Sequence, residues 1–161
     1  YSYSESILKK NIDSHLIKRS AFFLNIKSVY DIMKRLKYSN KDINDTVKLI
    51  EYFNADISSK PALKIILKNI GTELTENLLD FRNACGQDTS HSEKLLDEIL
   101  KNNECYLISQ LDINGRDLML MGFSGIQTGK ILNTLLEKVI NDEIENNKTT
   151  LKEYTDAFLQ N

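Results

Sequence analysis

An all-α fold is what this chain predicts. Three observations carry that prediction. Apolar residues recur at helical spacing along nearly the whole length, no stretch alternates apolar and polar residues long enough for a convincing strand, and Asn, Ser, Pro and Gly fall where helices should start and stop. A single Pro and six Gly, with 41% hydrophobic and 27% charged residues, belong to a folded globular chain and not to a linker. About eight helices joined by short connections follow.

Taken in order, Val29, Ile32, Met33 and Leu36 follow i, i+3, i+4, i+7. Asn40 stands where it would cap a helix beginning at Lys41. Pro61 suits the first turn of a helix running to Asn69, with Leu63, Ile66, Leu67 and Ile70 on one face and Gly71 at its left-handed stop. Leu74, Leu78 and Phe81 repeat that face, and Gly86 ends it. Ser90-His91-Ser92-Glu93 has capping-box spacing and opens a helix that carries Leu95, Leu96, Ile99 and Leu100. A short helix capped by Asn114, with Asp117 at the third position, leads into the strongest stripe, Ile131, Leu132, Leu135, Leu136, Val139 and Ile140. Thr149 or Thr150 opens a last helix bearing Leu151, Tyr154 and Phe158. Breaks at Asn54–Lys60 and Ile108–Asn114 divide the chain into a basic helical body segment (1–60), a helical body (61–107) and a glycine-turn tail (108–161).

The net charge of -2 conceals an asymmetry. Residues 1–70 hold thirteen Lys and Arg against seven Asp and Glu, whereas residues 71–161 hold eight against sixteen. The basic excess lies in Lys9, Lys10, Lys18, Arg19, Lys27, Lys34, Arg35, Lys37 and Lys41. Such a split hints at an anionic partner, although solvated Lys on helix faces accounts for many such runs.

Several function classes are excluded or unsupported. No apolar run approaches the roughly 18 residues of a membrane span, and Tyr1–Glu5 have neither a basic nor an apolar leader region. The missing initiator Met reads as a piece of a longer chain. Cys85 and Cys105 are too few for a disulfide framework, which suits a reducing cytoplasm. His15 and His91 lack neighbours at metal-ligand spacing. Nucleotidyl transfer needs clustered carboxylates for divalent ions, and Asp112 with Asp117 is the only pair beside a glycine loop. Asp117 reads better as a helix cap, so no catalytic residue, metal ligand or cofactor site is expected in these residues.

Four of the six glycines fall between Gly115 and Gly129. Backbone N–H groups after Gly125 would suit a phosphate, with Lys130 as counter-charge. A tight helix crossing, in which Gly129 admits a neighbouring helix, suits the same spacing, and spacing alone leans towards the crossing.

Here the chain resembles a family. Asn114-Gly115-Arg116-Asp117-Leu118, followed by Gly122, Gly125, Gly129 and Ile131-Leu132, is similar to the C-terminal signature of bacterial CCA-adding tRNA nucleotidyltransferases. Arg35-Leu36-Lys37-Tyr38-Ser39-Asn40-Lys41-Asp42-Ile43 resembles an element of that family's helical body. Lys60-Pro61-Ala62-Leu63 through Gly71, then Leu78-Leu79-Asp80-Phe81, resembles the helix pair that follows. The likeness runs over about residues 16–145 in one order. It departs at Ser124-Gly125-Ile126, where many members carry Pro-Gly-Pro and one more residue, and at Ala84-Cys85, where relatives often have Ala-Asp.

The resemblance implies a body-and-tail piece that grips the acceptor and T-arm backbone of tRNA. Its N-terminal catalytic head, using Mg2+ with CTP and ATP, would lie elsewhere in the full-length chain. The implied RNA contacts are Arg35, Lys37, Asn40 and Lys41 in one group, and Asn114, Arg116, Gly125, Gly129 and Lys130 in the other. Two alternatives stay open: a helical protein-interaction or homodimerisation module, and the equivalent domain of a bacterial poly(A) polymerase or a partial CC- or A-adding enzyme.

Overall fold

The computed structural model describes residues 14–159. Lys9, Lys10 and the leader reading at Tyr1–Glu5 lie outside them, as does the side chain of Phe158. The described residues form nine α-helices and no strand. These are α1 (His15–Phe23), α2 (Val29–Arg35), α3 (Asn40–Glu51), α4 (Lys60–Ile70), α5 (Thr72–Ala84), α6 (Ser90–Lys101), α7 (Gly115–Leu120), α8 (Ile126–Ile140) and α9 (Lys148–Leu159). One 3-10 turn, Ile108–Gln110, precedes α7.

Three serines open three of the helices. Ser14, Ser39 and Ser59 accept hydrogen bonds through Oγ from the amides of Ile17, Asp42 and Ala62, three residues on in each case. Each bond satisfies a first-turn donor that has no partner inside the helix. Asn40 is therefore the first residue of α3 and not its cap, because Ser39 already occupies that place. The start of α6 differs in the same way. Ser90 lies within the helix, and the Thr89 hydroxyl just before it donates to Glu93 at 2.6 Å. At α9 neither threonine is the cap, because Asn147 Oδ1 takes the amide of Thr150 at 2.9 Å.

Helix ends follow one recurring pattern. After α2, α5, α6, α7 and α8 the chain turns through a residue with positive φ, at Lys37, Gly86, Asn103, Gly122 and Asp142. At each, two amides reach back to the last turn, as in Lys37 N to Lys34 O at 3.0 Å and Tyr38 N to Met33 O at 3.1 Å. This paired closure satisfies the last carbonyls. Gly71 separates α4 from α5 at φ 81°.

The chain divides into two compact units, residues 1–98 and 99–161. In the first, Met33, Leu49, Leu63, Leu78 and Phe81 have no exposed surface, and the Phe53 and Phe81 rings lie 4.8 Å apart between centroids. The stripes read at Leu63–Ile70 and Leu74–Phe81 are buried, but Leu36 is 61% exposed. Closure at Lys37 ends α2 at Arg35, so Leu36 sits beyond the last inward-facing turn. Polar bonds tie helices together where packing brings them close. Arg19 donates to Thr46 and Asp42, both at 2.8 Å, joining α1 to α3. Arg82 reaches the Ala55 carbonyl at 2.7 Å, and the buried Ser92 hydroxyl reaches that of Ile57.

The second unit is built on Leu118, Phe123, Ile131, Leu135, Leu136, Val139, Ile140 and Leu151, with Cys105, Leu111 and Ile113 completing the cluster. The stripe on α8 faces this core, with Leu132 half-buried at its side. Burial of side chains such as Leu135 and Leu136 contributes on the order of 1.5–3 kcal/mol each before chain entropy is counted. Asn146 fastens the 3-10 turn by donating to the Gln110 carbonyl and accepting from the Asp112 amide.

Candidate nucleic-acid interface

The residues expected to meet RNA fall into two groups, one in each unit. In the first unit they surround the closure of α2 and the start of α3. Arg35 is the last residue of α2 and is exposed. Lys37 follows in the left-handed conformation at φ 60°, also exposed. Most helices that close in this way place Gly there, because a Cβ is strained at positive φ. Among the described residues neither cation has an ion-pair partner.

Asn40 is exposed at the first position of α3. Lys41 is less free than its sequence suggested. It pairs with Asp45 one turn on at 3.0 Å while its side chain stays 77% exposed. The Asp45 hydrogen bond raises its pKa, but an ion pair this open to water contributes little. Arg19, part of the basic excess, points inward to Asp42 and Thr46, and its guanidinium lies 5.5 Å from the centre of the Tyr38 ring. Asp42 is held below the ordinary carboxylate range, first by the Ser39 hydroxyl and then by Arg19. One cation of the basic excess that is absent from the implied RNA contacts is Lys34, which lies over the half-exposed Tyr30 ring at 5.7 Å. Its signal was the i, i+4 spacing of Tyr30 and Lys34 on the outer face of α2.

In the second unit Asn114 opens α7 as expected. Its Oδ1 accepts from the amides of Arg116 and Asp117 at 2.9 and 3.2 Å, and Asp117 accepts in return from the Asn114 amide at 3.1 Å. This reciprocal box satisfies donors at both ends of the turn. Asp117 also pairs with Lys148 at the start of α9, at 2.8 Å. The Lys148 hydrogen bond, and then the Asn114 amide, hold the carboxyl below its usual range. Asp117 is thus a cap and a tie to α9. No three His, Cys, Asp or Glu side chains among the described residues come together to hold a metal ion.

Arg116 and Lys130 are exposed and unpaired among the described residues. Between them the chain turns at Gly122 and at Gly125, whose φ 57° and ψ −128° suit only glycine. No side chain caps the α8 start that follows. Gly129 corrects one sequence expectation. A Cβ built there would meet nothing within 4 Å beyond its own stretch of helix, so Gly129 does not admit a neighbouring helix among the described residues. Gly115 is the glycine that faces a neighbour, with Thr128 Cγ2 at 3.5 Å from its would-be Cβ. What the sequence did not disclose is how apolar this turn's surface is. Met119, Leu120 and Ile126 are 59%, 84% and 80% exposed. The signal was the run Leu118-Met119-Leu120-Met121, four successive apolar residues at the end of one short helix that cannot all face inward.

Residues 17–155 match the protein family described as tRNA nucleotidyltransferase domain 2. The chain belongs to that family. No curated protein and no solved structure matches it. No helix among the described residues is long and apolar enough to cross a membrane.

Proposed function

We propose that this domain grips tRNA through its phosphate backbone, as the body and tail of a CCA-adding nucleotidyltransferase. Nucleotide addition, with Mg2+, CTP and ATP, belongs on this reading to an N-terminal catalytic head of the full-length protein in the cytoplasm. On this reading that head would hold the carboxylates that such ions require. The observation that carries the reading is that unpaired, exposed cations stand at or within about one turn of helix ends in both units of a tRNA nucleotidyltransferase domain. Arg35 and Lys37 form one set, and Arg116 and Lys130 the other.

Physically, a grip on RNA shape needs cations and helix N–H groups aimed at phosphates and little reading of bases. Asn40 and the uncapped α8 start after Gly125 present such N–H groups, with Gly129 exposed on the same helix. Asn114 contributes by fixing the turn that carries Arg116. Lys41 adds a weaker charge, shared with Asp45.

The test is a titration of the chain into labelled tRNA, and into an equally long hairpin RNA, over a range of salt. Charge reversal at Arg35, Lys37 and Lys130 should weaken tRNA binding and flatten the salt dependence by about one unit per lost phosphate contact. Unchanged affinity and slope in that series would sink the proposal.

A further inference from the structure

The surface at the glycine turn is more than a cation site. Leu118 is fully buried, and Leu120, two residues or about 200° round α7, points away from the core. Phe123 and Ile131 are buried in the same cluster as Leu118, so the chain either side of the turn is anchored while Met119, Leu120 and Ile126 stand in water. Exposing one apolar side chain is ordinary, but three within eight residues on a turn anchored from beneath mark a contact surface.

The charges around this tip select its partner. From Asn114 to Leu136 the only carboxylate is Asp117, already engaged by Lys148 and the Asn114 amide. Arg116 and Lys130 therefore leave the tip locally positive in a unit where Asp and Glu outnumber Lys and Arg. A partner that offers flat apolar faces between anionic groups fits that pattern. Two copies meeting tip to tip about a two-fold axis would bring like charges together.

We infer that Met119, Leu120 and Ile126 pack against the unstacked face of a nucleobase in the bound RNA, while Arg116 and Lys130 hold the flanking phosphates. This rests on the RNA-binding reading above and goes beyond it, because a phosphate grip alone gives no use for an exposed leucine and isoleucine. The contact is indifferent to base identity, since every base presents an apolar face. It therefore favours RNA with an uncovered base at a loop or at the end of a helical stack.

The two contributions separate in a salt series. Apolar contact releases no counterions, so a variant that loses only that contact should keep the salt slope. The double variant Leu120→Ala/Ile126→Ala, with unchanged thermal unfolding, should bind labelled tRNA roughly tenfold more weakly at every salt concentration and with the wild-type slope. The pair Arg116→Glu/Lys130→Glu should lose affinity and slope together. If the alanine pair binds as wild type while the glutamate pair is weakened, the base contact is overturned and the phosphate grip stands. If neither pair changes binding, or the wild type does not bind tRNA, both readings fall. If the alanine pair instead abolishes concentration-dependent self-association, or binding to anionic phospholipid vesicles, with tRNA affinity intact, the tip serves another partner and the inference is overturned.

Discussion

The closures of α2 and α7 use the same pair of backbone hydrogen bonds, yet one turns on Lys37 and the other on Gly122. The residue at this position must take positive φ, which costs an L side chain roughly 1–2 kcal/mol. Gly122 avoids that cost, and its turn spends its surface on apolar side chains. Lys37 accepts the strain and places a cation at the end of a helix, beside Arg35. Strain retained at an exposed position points to a use for the side chain. On the proposed RNA-binding reading, the first unit offers its partner charge held by a strained backbone, and the second an apolar tip on a glycine turn.

The largest effect that would break this comparison is at Gly125. Its backbone conformation excludes a β-branched residue, so Gly125→Val should cost about 2–3 kcal/mol, read as a lower unfolding midpoint in denaturant. An unchanged midpoint would mean that the turn does not need the glycine. The reciprocal change is Lys37→Gly, expected to stabilise the chain by about 1 kcal/mol while flattening the salt dependence of tRNA binding by about one unit. Higher stability with unaltered binding would leave the strained lysine without a partner.

Gly129→Ala comes next. The site has open space and lies inside α8, so alanine should add about 0.5–1 kcal/mol. If RNA backbone approaches this glycine, tRNA affinity should fall although stability rises. The smallest effect is one of pH. The Asp117 carboxyl has a folded-state pKa below its ordinary value, so its contribution is present above about pH 4 and is lost as the pH falls through the folded value. Asp117→Asn should therefore melt lower than wild type at neutral pH, and the two curves should converge in strong acid.

Much of the fold was legible because glycine is nearly obligatory at some positions. The stops at Gly71 and Gly86 follow from positive φ. The closures at Lys37, Asn103 and Asp142 have the same geometry but carry no such signal, since those residues are common everywhere. Caps slipped by a residue or more. Ser39 and Asn40 are both good caps, as are Asn147 and the threonines after it, and only the path of the preceding chain chooses between them. At the candidate site, exposure of Arg35, Lys37, Arg116 and Lys130 was readable from their places off the apolar faces. That Arg19 turns inward was not, because its partners Asp42 and Thr46 lie on a different helix. Nor was the openness around Gly129, since glycine serves a crowded and an empty site equally well in sequence.

The contrast between the starts of α7 and α8 extends to hydrogen exchange. The amides of Arg116 and Asp117 are held by Asn114 and should exchange slowly for first-turn groups. Those of Ile126, Gln127 and Thr128 follow an uncapped Gly125, so their deuterium uptake should be fast. A phosphate seated on that turn would slow them while leaving the α7 start as it was. Deuterium uptake over residues 126–128, referenced to 116–117 in the same molecule, then becomes a built-in gauge of RNA occupancy.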